Sequence, residues 1–512
     1  MFKRSRALAT AAVVALTVGV AAPSWADTLQ EAIALAYRTN PTLLAQRANQ
    51  RALDESIVQA RSGLRPTITG SAGVTYTNTR IQGGPQEVDL DGDGVPETTI
   101  DAPTRRVESE GVNAGVSLGQ NLWTGGRTSL GISAAEANVR AGRENLRSVE
   151  QQVMASVIQA YADVVRDMEI LRIRQDNITV LNRQLDESNA RFEVGEITRT
   201  DVAQSEARLA QSQADLANAQ AQLSTSRAAY AAVVGQAPTD LETLPALPGL
   251  PADFDVALQA GLAENPAVLA ATYNQQAAEA RVALARAEYL PSVRATASYG
   301  GSGSDLGSID LAERTQFQAG ATLSVPLFTG GLNRSRVAQA LEQANAAQIG
   351  VEGQKRTLLQ TISSAFAQTV SARSTLQAGN EAVRAASVAA EGVRQEAQVG
   401  LRTTLDVLNQ ELELRAAQVT LAAARRNEYV AQAQLLAAMG RLGGPNLDPT
   451  IDAYDAEANL RRVRNRGALP WDGVIEAIDR IAAPPVTPAN DAEDAPIDRQ
   501  LKGDVIQTAP RN

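Results

Sequence analysis

The chain has 512 residues and a formal net charge of −10, with no cysteine, no histidine and only 4% aromatic residues. Without these two residue types there is no disulfide framework, no zinc site of the common kinds, and no Ser-His or Cys-His nucleophile. An acidic balance also disfavours binding to nucleic acid. We therefore expect a protein that is not an enzyme.

The first residues follow the pattern of a secretory signal. A basic start containing Lys3 precedes an apolar stretch, residues 7–22, and a small-x-small cleavage site that ends at Ala26. A membrane anchor is the alternative, disfavoured because the apolar stretch is short for a span. No later stretch is long enough for a transmembrane helix, so strands would have to carry the protein into a membrane. We predict a signal peptide over residues 1–26.

The chain contains an internal duplication. Asn40-Pro41 recurs 225 positions later as Asn265-Pro266, and the LWTGGR stretch starting at Leu122 recurs 205 positions later as LFTGGL. Two constant offsets indicate one duplicated unit, with about 20 extra residues in the first copy. We predict a first repeat over residues 27–235, a proline-rich connector over 236–252 and a second repeat over 253–441.

Each repeat predicts the same elements: a helix broken at Asn-Pro, two strands, a long helix, a hairpin tip and a shorter returning helix. In the first repeat these are residues 29–62, 67–79, 112–122, 127–193 and 200–234; in the second, 256–287, 293–300, 316–328, 333–398 and 404–439. The last strand alternates apolar with small polar residues. This pattern favours a lipid-facing wall with a wet lumen, and a soluble sheet is the alternative.

Two features define the helical hairpins. Gly195 and Gly400 lie where a helix end favours a residue tolerant of positive φ. The returning helices carry an apolar residue at every seventh position, which is typical of a coiled-coil seam: Val202, Leu209, Leu216, Leu223 and Tyr230 in the first, and Val407, Leu414 and Leu421 in the second. Each long helix is expected to lie beside two stacked short ones.

The predicted fold is mainly α with β, a membrane β-barrel joined to a long α-helical coiled-coil barrel. Four strands per chain cannot close a barrel, since the smallest that spans a membrane has about eight. Three copies would supply twelve strands and two would supply eight. After Arg441 comes a mixed region, residues 442–482, with a short helix around 471–481. Residues 483–512 have the composition of a disordered tail.

These features together resemble the TolC family of outer-membrane efflux and export proteins, over nearly all of the mature chain. The residues that carry the resemblance are the duplicated Asn-Pro helix start, the two LxTGG junctions and the two VGxxTxxDV tips. The resemblance implies a homotrimer with twelve strands in the outer membrane and a helical tunnel across the periplasm. An equatorial band would include the connector and residues 442–482. The segment 454–464 resembles the alphaproteobacterial branch that serves type I secretion.

The resemblance also implies a passive exit duct, engaged by a periplasmic adaptor and an inner-membrane transporter of the ABC or RND type. The helical tips would gate its periplasmic entrance. Matched by motif, Arg402 takes the position of an arginine that ties the inner hairpin to its neighbour, with Thr200 and Asp201 as its partners. These three residues form the predicted latch.

Asp406 takes the position of the first of two acidic residues at the entrance, and Asn409 stands where the second lies in the family. Ala397 replaces an aromatic residue that helps the clasp. Both departures indicate a weaker latch or one built differently. The alternative for Asp201 and Asp406 is a purely local role as acidic N-terminal residues of their helices.

The glycine pairs Gly125-Gly126 and Gly330-Gly331 lack the Lys-Ser/Thr that follows a phosphate-binding loop. We interpret them as tight strand-to-helix junctions, with Pro326 turning the strand toward the helix.

Asp89, Asp91 and Asp93, followed by Gly94, begin like a calcium loop, although position twelve is Ile100 rather than glutamate. They lie in the extra residues of the first copy, in a predicted external loop. Calcium binding and a plain acidic turn both fit, and no other cofactor is expected.

A rival interpretation is a periplasmic adaptor or scaffold, a class that also uses long helical hairpins. An adaptor usually has one hairpin between lipoyl-like halves and no barrel strands, whereas this chain predicts two hairpins and four strands. The outer-membrane channel is therefore favoured.

Overall fold

The computed structural model describes residues 28–488, apart from 90, 91, 93, 97 and 305–309. The predicted signal peptide and most of the predicted tail lie outside the described residues.

The first repeat contains α1 Leu29–Thr39, α2 Pro41–Ser62, β1 Thr67–Ile81, β2 Pro85–Val88, β3 Thr98–Asp101, β4 Arg105–Trp123, α3 Arg127–Glu193 and α4 Arg199–Val234. The second contains α5 Phe254–Glu264, α6 Pro266–Ala287, β5 Ser292–Gly303, β6 Arg314–Ser324, α7 Leu332–Gln398 and α8 Thr404–Met439. Three short helices follow: α9 Gly444–Leu447, α10 Ala458–Val463 and α11 Asp472–Asp479.

The helix breaks at Asn-Pro also hold neighbouring helices in place. The Asn40 side chain accepts from the backbone N–H of Thr42 at 3.0 Å and donates to the Val233 carbonyl at 2.9 Å. Asn265 repeats the arrangement, donating to the Ala438 carbonyl at 2.9 Å. One side chain thus starts a helix and satisfies the end of the returning helix. In the first repeat α2 and α4 stack end to end beside α3, and in the second α6 and α8 stack end to end beside α7, as the sequence predicted.

The hairpin α3–α4 packs along the predicted heptad seam. Val202, Leu223 and Tyr230 are buried, and small residues that alternate with them are buried too: Ser205, Ser212, Ala219 and Ser226. The heptad pattern of apolar residues does not predict this second row. Two of these serines join the helices by hydrogen bonds, Ser212 to Asn177 at 2.8 Å and Ser205 to Ser188 at 3.2 Å. Small buried residues let the two backbones approach, and the polar layers fix their register.

The four long strands form one antiparallel sheet in the order β1-β4-β5-β6, and β2 and β3 form a separate hairpin. Three of the four strands are longer than predicted, with β1 reaching Ile81, β4 beginning at Arg105 and β5 reaching Gly303. The extra residues of the first copy therefore extend a strand pair instead of forming only a loop. By contrast β6 ends at Ser324, short of the predicted Phe328, because Pro326 has no N–H to donate to a ladder.

The sheet has one apolar face and one polar face. Directly opposed residues form an apolar row across all four strands, Ile68, Leu118, Ala297 and Ala319, and the adjacent row on the other face is polar, Thr69, Ser117, Ser298 and Gln318. The apolar face is not covered within the chain: Ile68 is 69% exposed and Phe317 70%. An uncovered apolar sheet face calls for an apolar surrounding or a partner.

None of the helices in the described part of the chain combines the length and apolarity needed to cross a bilayer.

Twin glycines make both strand-to-helix junctions, as the sequence predicted. Gly125 and Gly126 have φ of 65° and 84°, and Gly330 and Gly331 have 60° and 87°. Side chains at Gly125 and Gly126 would collide with Leu290 and Ala483, whereas the second pair has open space around it. The first junction is therefore covered by other parts of the chain and the second is bare.

The connector and the start of the C-terminal region pack together around α1 and α3. Leu247, Leu442 and Leu447 are buried in one cluster with Tyr161 and Tyr37. The resemblance assigns both segments to an equatorial band, and that assignment stays a prediction. Residues 458–483 run farther, along α2 to the first strand-to-helix junction.

We call residues 458–488 the C-terminal strap. Asn459 donates to Asp54 of α2 at 2.8 Å, and Asp472 accepts from Arg65, just before β1, at 2.9 Å. Farther along the strap lies Asp479, which is 0% exposed. Its carboxylate accepts from the backbone N–H groups of Thr124 at 2.7 Å and Ser129 at 3.0 Å, and from both hydroxyls. A negative charge here satisfies free N–H groups at the start of α3.

We predict that Asp479→Ala loosens the first strand-to-helix junction. Buried donors left without a partner cost about 1–3 kcal/mol each, so the first turn of α3 should open more readily. Hydrogen exchange of detergent-solubilised protein should show faster exchange at residues 124–130. The exposed Asp452→Ala serves as control, and equal exchange in the two variants would contradict the assigned role.

Candidate functional site

Both hairpin tips use the same backbone turn. Gly195 and Gly400 have φ of 77° and 79°, as predicted for helix-terminating glycines. The following residue closes the turn by donating its N–H to a carbonyl in the last helical turn, Glu196 to Arg191 and Leu401 to Glu396, each at 2.9 Å. The repeats therefore present two tips of equal shape, and any difference in function must come from side chains.

The two acidic residues of the tips cap their own helices. Asp201 accepts from the Thr198 backbone N–H at 2.9 Å and from its hydroxyl at 2.7 Å. Asp406 does the same with Thr403, at 3.0 and 2.8 Å. These bonds favour the charged form and hold the pKa of both carboxyls below the ordinary value of 3.8. The capping role considered for both residues is thus present, while Thr200 lies exposed in the first turn of α4.

Within the single chain Arg402 does not pair with Thr200 or Asp201. Its guanidinium donates to the Glu396 carboxylate at 2.8 Å, and both side chains are about half exposed, at 51% and 47%. Glu396 lies on the last turn of α7, six residues before Arg402. The motif match does not reveal this partner, because it pairs Arg402 only with residues of the other hairpin.

Asn409 makes one of the contacts between the two hairpins. Its side-chain oxygen accepts from Arg208 of α4 at 3.1 Å. Asn409, which the resemblance aligns with a second entrance carboxylate, therefore takes part in a hydrogen bond between a neutral and a cationic side chain. An aspartate could also accept from Arg208, so asparagine keeps the contact and removes one negative charge.

A buried charged layer lies above the second tip. The Glu411 side chain is 4% exposed and accepts from Arg394 of α7 and from Arg415, the latter at 3.4 Å. Glu411 occupies the seam position four residues after Val407, which is where a coiled coil uses a polar residue to fix register. The interrupted apolar pattern at this position is the sequence signal that could have found it.

The proposed calcium residues are only partly described. The Asp89 carboxylate accepts from the backbone N–H groups of Gly92 and Gly94, both at 2.7 Å, and so holds a tight turn. Asp91 and Asp93 lie outside the described residues. Calcium binding at this loop stays a prediction.

The hydrogen bonds between Asp406 and Thr403 predict that the stability of the second tip depends on pH. Because the folded-state pKa is depressed, the stabilising bonds are fully present above the ordinary value of 3.8 and are lost as pH falls through the lower folded-state pKa. Thr403→Ala removes the hydroxyl donor, which should move the pKa of Asp406 back up. Hydrogen exchange at residues 403–407, measured against pH, should therefore accelerate at higher pH in this variant. Thr420→Ala, exposed farther along α8, should follow the unmodified protein, and the idea fails if the two variants behave alike.

Comparison with known proteins places this geometry in a family. The sequence model described as "Outer membrane efflux protein" matches residues 32–236 and 257–441, which are the two repeats. The chain is 33% identical over 478 residues to the outer membrane efflux protein BepC of Brucella suis, covering 93% of this chain and 98% of that protein. It is 27% identical to the outer membrane protein TolC of Vibrio cholerae, covering 85% of this chain and 94% of TolC.

Solved structures agree on the fold. The CusC structure, described as concerning folding and transmembrane channel formation, superposes with a TM-score of 0.67 at 18% identity, covering 80% of this chain and 91% of CusC. At this identity the likeness supports the fold alone. The repeated hairpins, the amphipathic sheet and the match over both repeats lead to one conclusion: this chain belongs to the outer membrane efflux protein family and is a TolC-like channel protein of the outer membrane.

Proposed function

We propose that three copies of this chain form the exit duct of a tripartite efflux or type I secretion system. Twelve strands close a barrel in the outer membrane, and the helical hairpins enclose a tunnel across the periplasm. The duct has no catalytic activity. A periplasmic adaptor and an inner-membrane transporter of the ABC or RND type engage it at the tips and supply the energy.

The sheet carries this proposal. Both of its faces are exposed, one apolar and one polar, and its outer strands β1 and β6 each have one neighbour in the sheet. In a bilayer an open strand edge leaves backbone groups without hydrogen-bond partners, so the edges must meet those of further copies. The apolar face then meets lipid and the polar face lines the lumen. An adaptor or scaffold in the periplasm, the rival function, would leave this apolar face in water.

The internal duplication predicts the register in which β6 of one chain pairs with β1 of the next chain. Within the chain β4 pairs with β5, and Leu118 lies opposite Ala297. Adding 205 to the first number and subtracting 225 from the second gives Leu323 of β6 opposite Ala72 of β1 in the next copy. The same rule puts Phe328 opposite Ile68, because Trp123 lies opposite Val293. Ala321 opposite Val74 and Ala319 opposite Tyr76 follow from the same rule, so most derived pairs keep apolar residues together on one face, which supports the register. Phe317 opposite Asn78 is the exception.

Cross-linking tests the seam directly, since the chain has no cysteine. We predict that the double variant Leu323→Cys/Ala72→Cys, treated in membranes with a short bifunctional thiol reagent, gives covalent dimers and trimers on denaturing gels. Each single variant should stay monomeric.

The matched control shifts the register by one residue. In Leu323→Cys/Ser71→Cys the second thiol lies on the polar face, so linkage should fall sharply. Equal linkage in the two double variants would refute the register, and no linkage in either would count against the assembly itself.

We further propose that the tips gate the entrance. In the assembled duct Arg402 leaves Glu396 for Thr200 and Asp201 of the neighbouring hairpin, and a ring of Asp406 side chains favours cations. The exposure of Arg402 and Glu396 supports this exchange, because exposed ion pairs are weak and readily traded. A latch of several such contacts can hold a gate that an adaptor still opens.

Substituting each partner of the Arg402–Glu396 ion pair in turn tests the latch, because the two variants should change conductance in opposite directions. Arg402→Ala should raise single-channel conductance in planar bilayers several-fold, because the latch is lost. Glu396→Gln should lower conductance or leave the channel closed for longer, because it frees Arg402 for the latch. Arg384→Ala, which breaks the comparably exposed Arg384–Glu381 pair at 2.8 Å farther up α7, serves as control. Unchanged conductance in Arg402→Ala would refute the latch.

A further inference from the structure

The C-terminal strap contains a helix, α11, with an uncovered apolar flank. On α11 the buried side is formed by Asp472, Ile475 and Asp479, which hold the helix against α2, α3 and β4. The next flank carries four large apolar side chains at helical spacing. These are Trp471, Val474, Ile478 and Ile481, exposed by 46%, 60%, 38% and 62%.

The remaining flank of α11 is charged. Glu476 and Arg480 form an ion pair at 2.6 Å, and the Arg480 side chain is 64% exposed. A helix with one apolar and one charged flank is typical of a segment that lies in a membrane interface. Eight residues would bind a membrane weakly on their own. Here the contacts of Asp472 and Asp479 already fix the helix, so little ordering entropy remains to oppose binding.

The apolar flank continues the apolar face of the sheet. An irregularity in β4 puts Trp123 opposite Val293, on the same face as Tyr299 and Leu323. The Trp123 indole N–H then donates to the Ile481 carbonyl at 3.1 Å. The strap therefore reaches the sheet on its apolar side, at the end from which the helices leave.

The second repeat also has an aromatic residue at the helix-side end of the sheet. Phe328 is the counterpart of Trp123, and it is 91% exposed beside Leu327 at 92%. Trp123, Phe328 and Trp471 thus place aromatic side chains around the helix-side end of the sheet. Aromatic residues concentrate at the boundary between the hydrocarbon core and the headgroups.

We propose that α11 is an interfacial anchor, whose flank of Trp471, Val474, Ile478 and Ile481 inserts into the periplasmic leaflet of the outer membrane. The inference rests on the proposed function, because it takes the apolar sheet face to meet lipid. The partner is a phospholipid surface: apolar side chains enter the acyl boundary, and Arg480 lies toward the headgroup phosphates. Through Asp479 the anchor fixes the first strand-to-helix junction relative to the bilayer.

Single cysteines in the cysteine-free chain test the anchor. Val116→Cys on the apolar sheet face, Val474→Cys on the apolar flank and Glu476→Cys on the charged flank are each labelled with bimane. The full-length trimer is reconstituted in vesicles of phosphatidylethanolamine and phosphatidylglycerol, with or without brominated acyl chains. We expect brominated lipid to cause a loss of emission at residues 116 and 474, and aqueous iodide to cause a loss at residue 476.

The outcomes separate the two proposals. Loss of emission at 116 but not at 474 overturns the anchor and leaves the barrel standing. In that case quenching of 474 by iodide means that the flank faces water, and quenching by neither agent means that another subunit covers it. No loss at 116 overturns the barrel itself.

Discussion

A backbone in hydrocarbon must satisfy its own hydrogen bonds, and the architecture of this chain follows from that constraint. Its four long strands pair with one another but leave two edges, so the sheet cannot complete itself within one molecule. Nor does the sheet have a core, because both faces are needed, one for lipid and one for water. The strands are also held at one end of the sheet. There twin glycines join β4 to α3 and β6 to α7, two helices that are packed along their length.

The long helices are held to their neighbours by narrow seams of small side chains instead of a wide apolar core. Alanine and serine at the seam bring the backbones close, and a few polar layers decide the register. Ser212 with Asn177 is one such layer and Glu411 with its two arginines is another. Each layer adds little stability, but a shift by one heptad would leave buried polar groups without partners. Helices of 67 residues, which could slide along a purely apolar stripe, are thereby held in one alignment.

The periodic parts of this structure could be predicted from sequence, and the parts fixed by single contacts could not. The helix α3 begins at Arg127 and ends at Glu193, as expected, because a glycine turn marks each end. The β2–β3 hairpin and the course of the strap were missed. A strap held by Asp479 on Thr124 and Ser129 depends on contacts about 350 positions apart, which no local pattern encodes. At the tips the motif singled out Arg402 but could not reveal that Glu396 pairs with it within the chain.

The duplication explains where the molecule departs from symmetry. Two equal copies would give equal junctions and equal tips, yet the first junction is covered by the strap and the second is bare. A C-terminal segment exists once per chain, so it can reinforce only one of the two junctions. The tips differ for a related reason. Identical caps at Asp201 and Asp406 preserve the turn, which leaves Arg402, Asn409 and Arg208 free to diverge without cost to folding. Duplicated backbone with diverged side chains thus gives hairpins of one shape, whose tips and junctions differ in the contacts that their side chains make.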